Sequence, residues 1–408
     1  MSKWIFFVGK PYPQAYKLEV FQSSDYKIGV FVDKNLKLSH RENYDKVIEV
    51  DFLSEETLSN TVPQNIQVDG LVSTYENYVV AKSRLAQMFD VPSPSIESAT
   101  KSTDKYLMRL AFEQEDPTIN PRFELVSSKA VLIESARKLN YPLILKPTNL
   151  VKSLLVIRCN DEAELLKDYE YASEKINDLY TRQRIYGRQP QFILEECVIG
   201  KTCSIAAFVD SNGQPHFCEG IVSLTNAQDI GIDDNYIYRR LLPAEFNETL
   251  RAKMFETAHK GIKALQMTST PAHVEIIYND NEVKLIEIGA RIGGYRPRMY
   301  SISYGIDLIA QELRLALDEK PDLSGNFKVH CAVFELFPET EGRFQGMEGL
   351  VDQPSFRYFS VKAKPGQLVG PSKAGYRAAA IVIADDQDEK IFSRLCEQVD
   401  SLRVRVKA

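Results

Sequence analysis

Hydrophobic positions in residues 1–90 come in short runs separated by polar connecting segments. KWIFFVG, KIGVFVD, DKVIEVDF and VDGLVSTY are rich in β-branched and aromatic residues and bounded by turn formers, which predicts four strands. The last leads into a helical pattern, ENYVVAKSRLAQMF, ended by VPSPS. Strands alternating with helices predict a parallel α/β domain. No GxGxxG follows any of these strands, so nothing supports a dinucleotide site there. WIFFVG is too short for a signal peptide and reads as a first strand.

Beyond residue 100 the pattern predicts a helix, DKYLMRLAFEQ, with Asp104 near its start, and a second, SKAVLIESARKLN. A strand YPLILKP, a loop, a strand SLLVIRC, a helix DEAELLKDYEYASEKIND and a strand QFILEEC follow. Strands KTCSIAAFVD and PHFCEGIVSL come next, then a long helix from Pro243 to Gln266 and one from Ser301 to Leu317. After PDLSG (321–325) short strands with frequent Gly and Pro take over, with one helix, DEKIFSRLCEQVDSL. This division predicts an N-terminal domain at 1–100, a central domain at 101–325 and a small β-rich domain at 326–408.

Between the helices at 243–266 and 301–317, HVEIIYNDNEVKLIEIGARIGG (273–294) reads as a hairpin around Asn279-Asp280-Asn281. One parity carries His273, Glu275, Ile277, Leu285, Glu287, Gly289 and Arg291. The other carries Val274, Ile276, Tyr278, Ile286, Ile288 and Ala290, an apolar face suited to a core. With the turn near Asn281, Glu275 and Glu287 lie opposite one another. Like charges so placed are destabilising. A divalent cation between them reverses that, since Mg²⁺ takes carboxylate oxygens from protein and keeps waters and phosphate oxygens; a solvated sheet face is the plainer alternative.

Composition narrows the function classes. The chain has 408 residues, 44% hydrophobic and 26% charged, enough for two or three domains. Its net charge of −6 and dispersed basic residues leave no footprint for nucleic acid or an anionic membrane. No apolar run approaches the ~20 residues of a membrane span. The six cysteines form no CxxC pair and sit mostly in apolar runs, as expected in a reducing cytoplasm.

Several chemistry-bearing residues stand in a fixed order before the hairpin. Lys105 lies on a helix, Lys146 ends the strand LILKP, and Glu195 and Glu196 end FILEECVIG. Glu275, Glu287 and Arg291 complete the series. From about Asp104 to Arg298 this order resembles the ATP-grasp superfamily, and within it the carboxylate–amine ligases that include L-amino-acid ligase-like enzymes. The resemblance implies an α/β (α+β) ATP-grasp fold, with a parallel α/β domain before it (pre-ATP-grasp) and the β-rich domain after. The segment at about 127–200 becomes a lid lobe.

The resemblance also implies roles. Lys105 and Lys146 become phosphate ligands, and Glu195, Glu196, Cys197 and Val198 the hinge. There, backbone groups at Cys197 or Val198 would pair with adenine and a Glu side chain would accept from its amino group. Glu275 and Glu287 become the Mg²⁺ pair, with Mn²⁺ as a substitute. Arg291, four after Glu287, faces the transferring phosphoryl group as the catalytic residue. Gly293 and Gly294 admit close backbone approach, Arg296 and Arg298 offer a fork for a substrate carboxylate, and His273 faces the same pocket.

Three departures stand out. The loop KPTNLVKSLLV has no glycine where a Gly-rich phosphate cover is usual, leaving Ser153 as a donor. Thr202 replaces a ribose-binding Glu, and Gly289 replaces a metal-ligating Asn. The reaction implied is ADP-forming amide or peptide bond synthesis from ATP, a small-molecule carboxylate and an amine, through an acyl phosphate. A bicarbonate-using carboxylase and an inactive nucleotide-binding module are the alternatives. No biotin-carrier segment is present, and a homodimer through the first or last domain is compatible with the sequence.

Overall fold

A computed structural model describes residues 2–12, 17, 21–151, 153–185, 188–234, 236–349 and 356–407. Strands β1 (Lys3–Val8), β2 (Tyr26–Asp33), β3 (Lys46–Val50) and β4 (Gly70–Val72) form a parallel sheet in the order β3-β2-β1-β4. Helix α1 (Glu55–Thr61) connects β3 to β4, and α2 (Val79–Phe89) follows β4. Phe6, Phe31, Leu71 and Leu85 bury one side of the sheet, as the apolar runs predict.

After α3 (Ile96–Lys101), Asp104 caps α4 (Lys105–Glu115) by accepting from the Tyr106 and Leu107 N–H groups. The cap fixes Lys105 at the first helical position. A separate four-stranded lobe follows. It contains β5 (Phe123–Val126), α5 (Lys129–Leu139), β6 (Leu143–Pro147), β7 (Ile157–Cys159), α6 (Glu162–Gln183) and β8 (Phe192–Glu196). Its strands run β5-β8-β6-β7, all antiparallel, with α5 and α6 closing a core around Leu132, Leu145, Leu165 and Leu194.

The chain then builds β9 (Lys201–Val209), β10 (Pro215–Phe217), β11 (Val222–Asn226), β12 (Ile237–Leu242), α7 (Glu248–Ala264), β13 (Thr270–Tyr278) and β14 (Val283–Gly289). Helices α8 (Arg296–Tyr304) and α9 (Leu308–Ala316) follow. The single helix expected from Ser301 to Leu317 is broken at Gly305, which takes the left-handed backbone that ends α8. PHFCEGIVSL likewise divides into β10 and β11, and α7 is shorter than the stretch expected.

The last elements are β15 (His330–Leu336), β16 (Gly342–Glu348), β17 (Tyr358–Val361), β18 (Leu368–Val369), β19 (Ala380–Asp386), α10 (Glu389–Asp400) and β20 (Arg403–Lys407). The C-terminal strands do not all form a sheet of their own. β15 pairs with β12, so the large sheet runs β14-β13-β9-β11-β12-β15-β19-β17, with β10 beside β9. Only β18-β16-β20 stand apart. Helices α4 and α7 bury one face of this sheet through Met108, Phe112, Met254 and Ile262. The other face packs through Phe208, Val222 and Leu242 on α8, α9 and the N-terminal sheet, and it also carries the polar residues Ser204, His273 and Glu275.

Candidate active site

Strands β13 and β14 pair with Glu275 directly opposite Glu287, the register that the turn residues predict. One expectation fails. A bulge between Glu275 and Ile276 puts Leu285 opposite Ile276, so Leu285 enters the core with Val283 while Ile286 is only half-buried. Strict alternation had assigned these two residues the other way round. An inserted residue switches the parity of everything beyond it, and the switch lies just ahead of Glu287.

Arg109 of α4 anchors this bulge. It is 1% exposed and donates to the Leu285 carbonyl at 3.2 Å and the Ile286 carbonyl at 2.7 Å. Its Nε and Nη2 also grip both oxygens of Glu195, at 2.8 and 3.2 Å. Glu195 Oε2 lies 2.7 Å from Lys146 Nζ. Burial would raise the Glu195 pKa, but Arg109 and Lys146 outweigh it and hold the carboxyl at about 2. Burial drives Lys146 down to about 8, against the attraction of Glu195. The Glu195 side chain is therefore committed to two cations, not free for an adenine amino group.

Glu196 is similarly engaged by Arg122 at 2.6 Å and Lys284 at 3.1 Å. The Cys197 N–H donates to the Pro142 carbonyl, which leaves half-buried Val198 as the hinge position without such a bond among the described residues. The Thr202 hydroxyl donates to the Leu224 carbonyl at 3.2 Å.

Lys105, the lysine expected on a helix, starts α4 and reaches the hairpin: its Nζ is 3.4 Å from Glu287 Oε2 and donates to the Leu150 carbonyl at 2.8 Å. The loop after β6 is pinned here. The Lys105 N–H donates to the Thr148 carbonyl, and Asn149 Nδ2 donates to the Thr103 carbonyl at 2.9 Å and to Asp104 Oδ2 at 3.1 Å. The loop has no glycine, yet Ser153 and Leu155 both take left-handed backbone (φ 54° and 55°); Lys152 between them and the pinned segment lies outside the described residues. The loop, Lys105, Glu76, Glu287 and Gly289 line a narrow cleft.

Arg291 donates from Nε to Glu76 Oε2 at 2.6 Å. Glu76 is not among the residues that the sequence singles out. The signal was there: Glu76 follows β4, and ligands of open parallel sheets gather beyond the carboxyl ends of their strands. Burial raises the Glu76 pKa, helped by Glu287 and opposed by Arg291. Gly289 is what admits it, since a Cβ there would sit 2.9 Å from Glu76 Oε2. Arg109 was missed too, although a lone Arg on the same stripe as Met108 and Phe112 was legible as a buried charge.

His273 Nε2 lies 3.1 Å from Glu275 Oε1. Burial depresses the imidazole pKa, and His273, Arg296 and Arg291 hold Glu275 well below the usual carboxylate range against burial. Gly293 packs on His273, and Arg296 reaches Ser204 beside Glu275. Arg298 does not join them: it is exposed and stacks on the Tyr358 ring, 4.1 Å from its centroid.

The opposed Glu275 and Glu287 suit a hard divalent cation. They supply oxygen donors from two strands, and Mg²⁺ is commonly held by one or two carboxylates plus phosphate. With both lysines and Arg291 nearby, the site can neutralise a polyphosphate.

Comparison with known proteins finds similarity in sequence and in fold. Residues 139–298 match the family model of an ATP-grasp domain. An uncharacterized protein, y4rH of Sinorhizobium fredii, is 20% identical over 353 residues, 83% of this chain and 69% of its own length. The L-amino acid ligase from Bacillus licheniformis shares the fold with a TM-score of 0.80 at 19% identity, covering 100% of this chain and 99% of that one. N5-carboxyaminoimidazole ribonucleotide synthetase from Thermotoga maritima superposes with a TM-score of 0.70 at 16% identity, over 99% and 100% of the two chains.

Proposed function

Taking as premise that residues 139–298 form an ATP-grasp domain, we propose that this protein is a Mg-ATP-dependent carboxylate–amine ligase. It forms an amide or peptide bond and releases ADP and phosphate. One observation carries the reading: Glu275 and Glu287 face each other at partly exposed positions of the sheet, with Lys105 3.4 Å from Glu287. A purely structural surface has little use for two opposed carboxylates that an ammonium and a metal would have to reconcile.

In this reading Glu275 and Glu287 hold Mg²⁺, which neutralises charge on the ATP phosphates when bound. Lys146 and Lys105 are the phosphate ammoniums. Lys105 exchanges the Leu150 carbonyl and its share of Glu287 for phosphate oxygen, and the loop after β6 shifts to make room. A substrate carboxylate oxygen attacks the γ-phosphorus as the bond to ADP breaks. Arg291 spreads its fork against the charge on the transferred group, as guanidinium clamps do in phosphoryl transfer. The amine, having lost a proton, then attacks the acyl carbon and expels phosphate. The lobe bearing β5 to β8 excludes water that would hydrolyse the acyl phosphate.

The L-amino acid ligase fold supports an amino acid as the carboxylate donor. The test is ADP and phosphate release from Mg-ATP across amino acids, amines and bicarbonate. Release that needs both a carboxylate and an amine supports the ligase. Bicarbonate-dependent release without amine would replace it with a carboxylase, and nucleotide binding with no stimulated release by an inactive binding module.

A further inference from the structure

Lys105 and Lys146 stand on different parts of the fold, Lys105 on α4 and Lys146 on β6 of the four-stranded lobe. The core of that lobe is drawn wholly from residues 126–194, so it does not extend to α4. The spacing of the two ammoniums therefore depends on polar contacts between lobe and helix. Arg109 supplies them near one end of β8, through Glu195. β8 pairs Glu195 with Ile144 and Phe192 with Pro147. The segment before Phe192 thus lies at the other end, beside the loop that follows Lys146.

Arg188 belongs to that segment and reaches the start of α4. Its Nη2 donates to Thr103 Oγ1 at 2.7 Å, and its Nη1 to the Thr103 carbonyl at 3.4 Å. Nη1 also stands 3.5 Å from Asp104 Oδ2. The Thr103 carbonyl and Asp104 Oδ2 are the same two acceptors that Asn149 uses from the loop after β6. Asp104 Oδ1 meanwhile caps α4, whose first residue is Lys105. One carboxylate thus ties together the helix bearing Lys105, the loop just after Lys146 and the lobe segment bearing Arg188. Thr103 lines the cleft, and Glu76, another cleft residue, attracts Arg188 as well.

We infer that Arg188 is a positioning residue for nucleotide phosphates: by clamping Thr103 and Asp104 to the lobe, it sets the spacing between Lys105 and Lys146. It acts through the lysines and not on the nucleotide. Arg109 and Arg188 then fix the two ends of β8 against α4, one at the hinge and one beside the phosphate loop. The inference rests on the reading of both lysines as phosphate ligands.

The test uses the full chain, with ADP affinity from titration calorimetry and hydrogen exchange followed in residues 147–151. Arg188→Met should weaken ADP binding by about 5-fold or more, the scale of coupling between groups in contact, and speed exchange in the loop. Arg188→Lys should recover part of the affinity, since an ammonium reaches one acceptor where the fork reaches two. Asp104→Asn keeps a good helix cap but removes the charge facing Arg188, so it should weaken ADP binding as well. Should Arg188→Met not fold, Asp104→Asn carries the same comparison. In a Lys105→Met background, Arg188→Met should weaken ADP binding distinctly less than in the wild type, because part of its effect passes through Lys105. A purely structural arginine would give the same loss in both backgrounds, and that result would overturn the inference. Unchanged affinity in Arg188→Met, with or without faster exchange, would overturn it too while leaving the lysines as phosphate ligands. A wild-type chain that binds no ADP would remove the reading of the lysines and the positioning role together.

Discussion

Lys146 Nζ lies 2.7 Å from Glu195 Oε2, and Arg109 grips the same carboxylate from its other side. Two cations thus share one anion in a buried place, which leaves Lys146 short of compensation and holds its pKa at about 8. Above that pH the lysine becomes neutral and can no longer attract phosphate. Nucleotide affinity should therefore fall as pH rises through about 8, measured by titration calorimetry with ADP and with ATP. The same shift penalises the folded state fully below pH 8 and is relieved as pH climbs towards the ordinary lysine value of 10.5. Glu195→Gln removes the attraction that opposes burial, so the midpoint of the affinity profile should move below 8. An unchanged midpoint in that variant would separate Lys146 from nucleotide binding.

Arg109 is the joint between the two lobes. It fastens the bulge carbonyls of Leu285 and Ile286 and, through Glu195, the strand that carries Lys146. Arg109→Met leaves a buried carboxylate half-paired and two carbonyls without their donor. The expected cost is about 3–5 kcal/mol, read from denaturant unfolding. Because Glu287 follows the bulge directly, the Mg²⁺ concentration needed for half-maximal activity should rise as well. Loss of stability with unchanged Mg²⁺ dependence would confine Arg109 to a structural role.

These two arginine contacts mark how far the sequence could be read. The parallel sheet, the antiparallel lobe and the Glu275–Glu287 register follow from apolar runs and turn residues, because those patterns are local. The bulge does not, since alternation carries no sign that Ile286 will be skipped; only the carbonyls it frees, and Arg109 waiting beneath them, explain its position. Glu76 meets Arg291 across 215 residues of chain, a distance no periodicity spans. The loop after Lys146 misled in a different way. The loop has no glycine where a Gly-rich cover is usual, yet Ser153 and Leu155 adopt left-handed backbone at a conformational cost of about 1–2 kcal/mol each.

Glu287 is half-exposed and its ion pair with Lys105 is loose at 3.4 Å. Such a pair contributes at most about 1 kcal/mol to stability. Glu287→Gln should therefore melt near the wild type. Turnover should nevertheless fall by about 100-fold or more, the scale seen when one electrostatic partner of a transition state is removed. Near-normal ATP turnover in this variant would sink the metal assignment.

Gly293 and Gly294 are adjacent and should respond oppositely to alanine. A Cβ on Gly293 would fall 2.4 Å from His273 Nδ1 and 2.9 Å from Arg296 Cγ. Both side chains are buried, so neither can swing aside, and overpacking of this kind costs about 1–3 kcal/mol. The displaced imidazole would also pull away from Glu275, so Gly293→Ala should lose activity along with stability. A Cβ on Gly294 meets nothing within 4 Å, so Gly294→Ala should fold and melt like the wild type. Its added methyl enters only the open space at Gly294 itself. If that space receives a carboxylate, the KM for the carboxylate substrate rises while the KM for ATP stays constant; equal changes in both would mean that the methyl acts through the fold.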